Sequence, residues 1–209
     1  MDKQSKEYLD KIRHSASHLV TAAIEDLYPS VLQTIGPAID TGFYHDYDFI
    51  NNKISELDFE KIESKMKELV KSWKSFERNE VTKDEAIKQF KNNPYKLELI
   101  EEFSKNDEKI TLYRSGDFID LCQGGHCDHP DRELKHFKLL SIAGAYWRGN
   151  EKNKMLTRIY GTCFSTKVEL EEYLINLELA KKYDHRKLGQ ELGLFTISEK
   201  VGQGLVLWM

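Results

Sequence analysis

One segment constrains the fold more than any other, because residues 3–28 have the pattern of a single amphipathic helix closed by Pro29. Successive residues of a helix turn by about 100°, so one face collects residues three and four apart. The apolar face consists of Ala16, Leu19, Val20, Ala23, Ile24 and Leu27. His14 and His18 lie one turn apart on roughly the opposite side. We predict a helix that packs by one face and presents two imidazoles to a cleft or to solvent.

The chain up to residue 165 alternates between helices and short strands. An apolar period of 3.6 residues predicts a second helix over about 56–75, and the capping box Thr82-Lys-Asp-Glu85 predicts a short helix to about Lys91. Residues 95–103 fit a helix or a strand. Strand patterns cover 35–49 in short pieces, 110–113, 117–121, 137–142 and 157–164. This layout predicts an α+β fold in which helices pack on antiparallel sheets.

The pattern changes after residue 165. Thr166-Lys-Val-Glu169 is a second capping box, and it predicts a helix to about Leu188 with a basic carboxyl end. Its inward positions would be Leu170, Leu174 and Leu177. Glycines then recur, and the sequence stops in the apolar run Leu207-Trp-Met209. We expect the natural protein to continue beyond this point.

Charge and cysteine usage narrow the class of protein. The 209 residues carry a net charge of −4, which argues against a chain-wide basic field for nucleic acid. Residues 131–165 nevertheless hold seven Lys and Arg against three acids, a local charge of +4, which fits either a solvated face or a binding surface. Three cysteines without a signal peptide indicate reduced thiols and a cytoplasmic protein. No apolar run approaches the ~20 residues that span a bilayer, so we predict no membrane association.

A second pair of chemically active side chains follows a predicted strand, in Asp120-Leu-Cys122-Gln-Gly-Gly-His126. Together with His14 and His18, Cys122 and His126 form a set of the N and S ligands that Zn²⁺ takes. A metal is not required, since a neutral histidine can accept a proton from water. A third alternative is that Cys122 is a nucleophile activated by a histidine. The four residues could also be unrelated.

These motifs resemble, in order, those of bacterial-type threonyl-tRNA synthetases. The resemblance covers nearly the whole chain and is carried by the following stretches: Arg13–Leu19, Ile35–Tyr44, Pro94-Tyr-Lys96, Asp120–His126, Ala143–Gly149, Arg158–Thr162 and Asp184–Gly189. The two His/Cys pairs alone also fit alanyl editing proteins, whereas Ala143–Gly149 and Asp184–Gly189 point to the threonyl family. One departure lies in the loop, where the family usually has Cys-Arg-Gly-Pro-His. Gln123 here lacks a positive charge and Gly125 lacks a rigid proline, which affects contacts to the RNA terminus and loop stiffness.

The resemblance implies three regions. Residues 1–165 would be the editing domain, 166–183 a linker helix, and 184–209 the start of the class II aminoacylation domain. The resemblance also implies that the full-length enzyme is a homodimer that uses ATP, Mg²⁺ and a zinc in its catalytic domain. The class II motifs for these groups are not among the matching stretches. We therefore expect this chain, which could be a monomer, not to charge tRNA by itself.

The resemblance further assigns site residues and a reaction. His14, His18, Cys122 and His126 would line the editing cleft, together with Lys96, Tyr113 and Asp120. Whether zinc binds in that cleft is left open. Its candidate ligands would be His14, His18, Cys122 and His126. The reaction would be hydrolysis of serine wrongly attached to the 3′ end of tRNA(Thr), with His14 or Lys96 moving protons. Three rivals remain: a free-standing trans-editing deacylase, a non-catalytic tRNA-binding module that uses the basic 131–165 segment, and a zinc hydrolase of other specificity.

Overall fold

The computed structural model describes residues 5–106, 108–197 and 206–208. The chain divides into two compact units at residue 167. Among the described residues, no helix combines the length and the apolar character that crossing a membrane demands.

Within its described residues, the first unit contains five helices and eight strands. The helices are α1 (Lys6–Leu27), α2 (Phe59–Leu69), α3 (Lys83–Gln89), α4 (Pro94–Lys105) and α5 (Pro130–Glu133). The strands are β1 (Val31–Gln33), β2 (Ala38–Ile39), β3 (Gly42–Phe49), β4 (Glu77–Glu80), β5 (Thr111–Ser115), β6 (Phe118–Leu121), β7 (His136–Tyr146) and β8 (Met155–Phe164). Short 3₁₀ turns at Glu56–Asp58, Val70–Ser72 and Trp147–Gly149 extend or link these elements.

The strands form two antiparallel sheets. The larger sheet has the order β1-β3-β8-β7, with β2 paired to β3, and the smaller one has the order β4-β5-β6. The long β7–β8 hairpin shifts its register between Leu139 and Ser141. Helices and antiparallel sheets thus occupy one unit, which confirms the predicted α+β class.

Helix α1 lies in the centre of the main core. Its amino end is capped by the Ser5 side chain, which accepts the N–H of Tyr8, and it ends two residues before Pro29. The predicted apolar face is buried against the larger sheet and α2, apart from the partly buried Leu27. The opposite side is also buried, since His18 and Thr21 are almost inaccessible. The helix is therefore enclosed, and of the two histidines only His14 is partly exposed.

The structure refines several predicted elements. The second predicted helix is α2 with a 3₁₀ turn at each end, and Thr82 and Glu85 form the predicted capping box of α3. The ambiguous 95–103 stretch is helical, because Asn93 caps α4 and Pro94 occupies its first position. Strand β4 was not predicted, since its four residues are all polar and exposed and give no alternating pattern.

The second unit contains α6 (Lys167–Lys182), α7 (His185–Glu191) and an antiparallel pair, β9 (Phe195–Ile197) with β10 (Val206–Trp208). The prediction of one helix reaching Leu188 was wrong. Asp184 stops the first helix and starts the next, because its carboxylate accepts the N–H of Arg186 as a helix cap. The three leucines predicted to face inward are only half-buried, and no residue of α6 is fully buried.

Candidate active site

Two segments that are distant in sequence meet through four side chains. His14 and His18 come from α1, and Cys122 and His126 come from the loop after β6. His14 Nε2 lies 2.9 Å from His18 Nε2 and 3.2 Å from Cys122 Sγ, and Cys122 Sγ lies 3.5 Å from His126 Nε2. The four N and S atoms all lie within 4.8 Å of one another. The structure therefore brings together both pairs that the sequence singled out, and we name them the His/Cys cluster.

The loop that carries Cys122 depends on glycine. Gly124 and Gly125 have φ angles of +113° and +87°, which side-chain-bearing residues rarely adopt. A Cβ on Gly124 would also fall 2.6 Å from the Tyr113 hydroxyl oxygen. The N–H of Gly124 points to Cys122 Sγ at 3.3 Å, so the tight turn places a donor on the sulfur.

Lys96 and Asp120 form a buried row behind the cluster. Lys96 Nζ lies 2.6 Å from Asp120 Oδ1, and the other carboxylate oxygen lies 3.1 Å from His18 Nδ1, although that contact lacks good hydrogen-bond alignment. Lys96 and Asp120 are only 2% and 1% exposed. Asp120 therefore connects the ammonium of Lys96 to the imidazole of His18, and all three side chains are almost fully buried.

The stretch Pro94-Tyr95-Lys96 places its lysine by anchoring the start of α4. The Tyr95 hydroxyl donates to Asp48 Oδ2 at 2.7 Å, and its ring meets the Trp147 indole edge-on at 5.2 Å. With the tyrosine held on the larger sheet, the next residue points to β6, where it reaches Asp120. The ion pair of Lys96 with Asp120 was not predictable from sequence spacing.

Tyr113 lies beside the cluster, against the ring of His126. Its ring centroid is 4.4 Å from that of His126, which also stacks on Phe76 at 4.2 Å. The two aromatic rings fix the plane of the His126 imidazole. Phe76 was not among the predicted site residues, because nothing in its local sequence distinguishes it from a core residue.

A cleft of about 370 Å³ opens over these groups. Its floor includes His14, His18, Lys96, Asp120 and Cys122, and one wall is the segment 34–38. Within that wall a Cβ on Gly36 would fall 2.0 Å from His45 Nδ1, so only glycine fits there. The Gly36 carbonyl also accepts the Ser17 hydroxyl at 2.7 Å. Gly36 therefore allows close packing of the cleft wall against His45.

The charges in the cluster are set by mutual contacts. Burial alone would raise the pKa of Cys122, but His126, His14 and His18 lower it to about 3. Burial disfavours the charged form of His18, yet Asp120 and Cys122 raise its pKa to about 9. Burial and the charge of His18 lower the pKa of His126 to about 4. At neutral pH the site therefore holds a thiolate, a charged His18 and a neutral His126.

The burial of Asp120 would raise its pKa, but the charges of Lys96 and His18 hold it well below the usual range. Two positive and two negative groups therefore alternate from Lys96 through Asp120 and His18 to Cys122. Such alternation compensates buried charges in a region of low dielectric constant.

The thiolate gives a prediction about reactivity. In chelator-treated, reduced protein, we expect Cys122 to react with iodoacetamide at nearly the same rate from pH 5 to pH 8, because its pKa of about 3 keeps it ionised throughout. Cys127 is the internal control, since burial raises its pKa to about 12. Mass spectrometry of peptides would measure both rates. A tenfold or larger fall in Cys122 labelling at pH 5, as expected for an ordinary thiol, would contradict the assignment.

The donor set fits a zinc ion. Four N and S atoms converge, and a carboxylate lies behind one imidazole, as in the outer shell of many zinc sites. His126 Nδ1 is buried without a hydrogen-bond partner, so this ring is not committed to another group on that side. The same four atoms also contact one another directly, so they form a coherent site with or without a metal.

The remaining cysteines and histidines of the first unit stay outside the cluster. Cys127 and Cys163 are buried in the main core. His45 is also buried and packs against the cleft wall, where Thr21 Oγ1 contacts its Nδ1 at 3.0 Å. Gln123 points away from the cluster and donates to Glu108 at 2.8 Å, and a Cβ on Gly125 would meet open space.

The basic segment 131–165 is largely neutralised in the fold. Four of its seven cations lie within 3.0 Å of a carboxylate from another part of the chain. The pairs are Lys138 with Glu63, Arg148 with Glu98, Lys154 with Asp48, and Arg158 with Asp46. The local charge of +4 therefore does not translate into a basic surface of the same strength.

The proteins that this chain resembles agree with the geometry of this site. A family model described as the threonyl and alanyl tRNA synthetase second additional domain matches residues 110–160, which include Asp120, Cys122 and His126. A threonine–tRNA ligase of Geobacter sp. (strain M21) is 52% identical over 207 residues, which are 98% of this chain and 32% of that ligase. The chain corresponds to a segment of the threonine–tRNA ligases. The family resemblance inferred from the motifs is thereby confirmed.

Other threonine–tRNA ligases match in the same way. Those of Streptococcus thermophilus (strain ATCC BAA-491 / LMD-9) and Dehalococcoides mccartyi (strain CBDB1) are 52% and 51% identical over 95% and 96% of this chain. The matched parts are 30% and 34% of those two ligases. This chain thus spans about a third of the length of the relatives it matches.

Proposed function

We propose that residues 1–165 form an editing domain that hydrolyses serine from mischarged tRNA(Thr). The observation that supports this most is the His/Cys cluster, of which His14, His18 and Cys122 line the cleft, backed by Lys96 and Asp120. A partly exposed imidazole lies there beside a thiolate and a charged, buried histidine. Such a site can bind an ammonium group and accept a proton from water within one small cleft.

In this proposal a water molecule attacks the ester carbonyl, and His14 accepts its proton. The bond between the carbonyl carbon and the ribose oxygen then breaks, and His14 returns the proton to that oxygen, which releases serine and uncharged tRNA. Lys96 is held by Asp120 at 2.6 Å and is almost fully buried, so His14 is better placed than Lys96 to act as the base. The thiolate of Cys122 would attract the seryl ammonium. His18, charged and fixed by Asp120, would hold the water and stabilise the negative charge that develops on the carbonyl oxygen.

The physical need for such a site follows from the small difference between the two amino acids. Serine lacks one methyl group of threonine, and a binding pocket rejects a substrate that lacks one methyl or methylene by only ~10–200-fold. A second site that is too tight for threonine can hydrolyse the smaller product. The 3′-terminal adenosine would enter as a single strand, recognised by stacking and by hydrogen bonds to its base.

A zinc ion held by His14, His18, Cys122 and His126 would make a closed four-ligand site, or with three of them would activate water. Metal analysis of protein purified without chelator, and activity after metal removal, would test for it. The hydrolysis proposed above uses only the side chains of this chain.

We propose that the whole protein is a cytoplasmic threonine–tRNA ligase that uses ATP, Mg²⁺ and a zinc in a class II domain, and that this domain accounts for the greater length of its relatives. Residues 166–183 would link that domain to the editing domain, 184–209 would begin it, and dimers would form through it.

The deciding experiment compares hydrolysis of Ser-tRNA(Thr) and Thr-tRNA(Thr) by this chain. We expect the seryl ester to be cleaved faster by about 5- to 150-fold, which corresponds to the ~1–3 kcal/mol that overpacking one methyl group costs. Equal rates on both esters would contradict exclusion by size. Binding of tRNA without turnover would instead favour the binding module, although the neutralised basic segment argues against that rival.

A further inference from the structure

Asn93 uses both ends of a buried amide in two different tasks. Its Oδ1 accepts the backbone N–H groups of Tyr95 and Lys96 at 3.1 and 3.2 Å. Its Nδ2 donates to the carbonyl of Gln33 at 2.8 Å. Because the first two partners can only donate and the third can only accept, the orientation of the amide is fixed by its contacts.

The two ends of this amide are linked to the wall and to the floor of the cleft. Gln33 is the last residue of β1, and the cleft wall 34–38 begins at the next residue. Lys96, whose backbone N–H is held by the oxygen end, places its ammonium against Asp120 on the cleft floor. Asn93 therefore fixes the distance between the wall and the row that runs from Lys96 through Asp120 to His18.

We propose that Asn93 is a positioning residue for the hydrolysis, acting through the bond from Nδ2 to Gln33. This inference rests on the proposed function. Capping a helix requires only the acceptor oxygen, and serine or aspartate caps about as well as asparagine. The bond donated by Nδ2 is not needed for a cap, and it joins the start of α4 to the cleft wall through Gln33.

Two variants separate the tasks. Asn93→Ser keeps an acceptor for the cap and removes the donor to Gln33, whereas Thr82→Ala removes the cap of the neighbouring helix α3, which lies outside the cleft lining. We expect Asn93→Ser to lower kcat for Ser-tRNA(Thr) hydrolysis by about 10- to 100-fold with KM changed less than about threefold, since a small displacement of Lys96 and the wall misaligns the reacting groups. Thr82→Ala should keep kcat within about twofold. If Asn93→Ser does not fold, Asn93→Asp replaces it in the same test, because it also keeps the acceptor and loses the donor.

A second readout does not depend on catalysis. Acetylation of lysines, followed by peptide mass spectrometry, reports how well Lys96 is held, with the exposed Lys109 as the internal reference. We expect Lys96 to be acetylated about tenfold faster in Asn93→Ser than in the unchanged chain, because loss of the bond from Asn93 to Gln33 allows local opening. In Thr82→Ala the acetylation rate of Lys96 should stay as in the unchanged chain. If the unchanged chain hydrolyses no Ser-tRNA(Thr), the proposed function fails, and this readout still tests the link. Unchanged kcat or unchanged Lys96 protection in Asn93→Ser would overturn the role of Asn93.

Discussion

Replacing His14 with alanine is expected to lower the rate of Ser-tRNA(Thr) hydrolysis by about 100- to 10,000-fold, the range that a general base contributes. His14 is the one member of the α1 pair that is partly exposed to the cleft, and it touches both His18 and Cys122. Removing it takes away the proton acceptor and leaves the buried row of Lys96 and Asp120 in place. Single-turnover hydrolysis of labelled Ser-tRNA(Thr) would measure the change.

His185→Ala is the matched control for this experiment. The His185 side chain is 89% exposed and belongs to the second unit, so its loss should leave hydrolysis unchanged. The unfolding midpoint of His14→Ala should stay close to that of the unchanged chain, because the side chain is not a core residue. If His14→Ala hydrolyses the ester at the original rate, His14 is not the base, and Cys122→Ala would then test a thiolate nucleophile.

The largest effect on stability is expected for Asp120→Asn. This change leaves the buried ammonium of Lys96 without its counter-charge at 2.6 Å, and removing one partner of a buried ion pair costs about 3–5 kcal/mol. The charged form of His18 also loses the carboxylate beside its Nδ1. Urea unfolding followed by circular dichroism, with chelator present, would measure the free energy of unfolding.

Two comparisons make the stability test specific. Glu80→Gln removes the partner of Lys109 in an exposed pair of similar length, and we expect little change because solvent screens that pair. Adding Lys96→Met to Asp120→Asn should recover part of the lost stability, because the uncompensated charge is then gone. A loss as small for Asp120→Asn as for Glu80→Gln would show that Lys96 and Asp120 are not a buried pair in solution.

Local patterns predicted the elements well where one face is apolar. The α1 stripe, the period of α2 and the Thr82 capping box each depend on neighbours a few residues away, and the structure has all three. Strand β4 was missed because its exposed polar residues lack alternation. The break between α6 and α7 at Asp184 was missed, because an aspartate that caps a helix cannot be told from one inside a charged helical stretch by sequence pattern alone.

The candidate site was predictable only in part. Spacing showed that His14 and His18 share a face, but the convergence with Cys122 came from the order of family motifs. Pairings over long sequence separations, such as Lys96 with Asp120 or Tyr95 with Asp48, have no local signature. The same reason explains the basic segment, because the acids that neutralise it come from other elements. The roles of the seven site residues stay predictions until the variants are measured.

The distance in sequence between the two halves of the cluster has a consequence during synthesis. His14 and Cys122 lie 108 residues apart in the chain and 3.2 Å apart in the fold. At about 5–20 residues per second, a ribosome adds Cys122 roughly 5–20 s after His14. Until then the two histidines have no thiolate beside them, and afterwards the new cysteine has an ordinary thiol until the helix docks. The nascent chain should therefore acquire its reactive sulfur and its hydrolytic activity together, as a late event of co-translational folding.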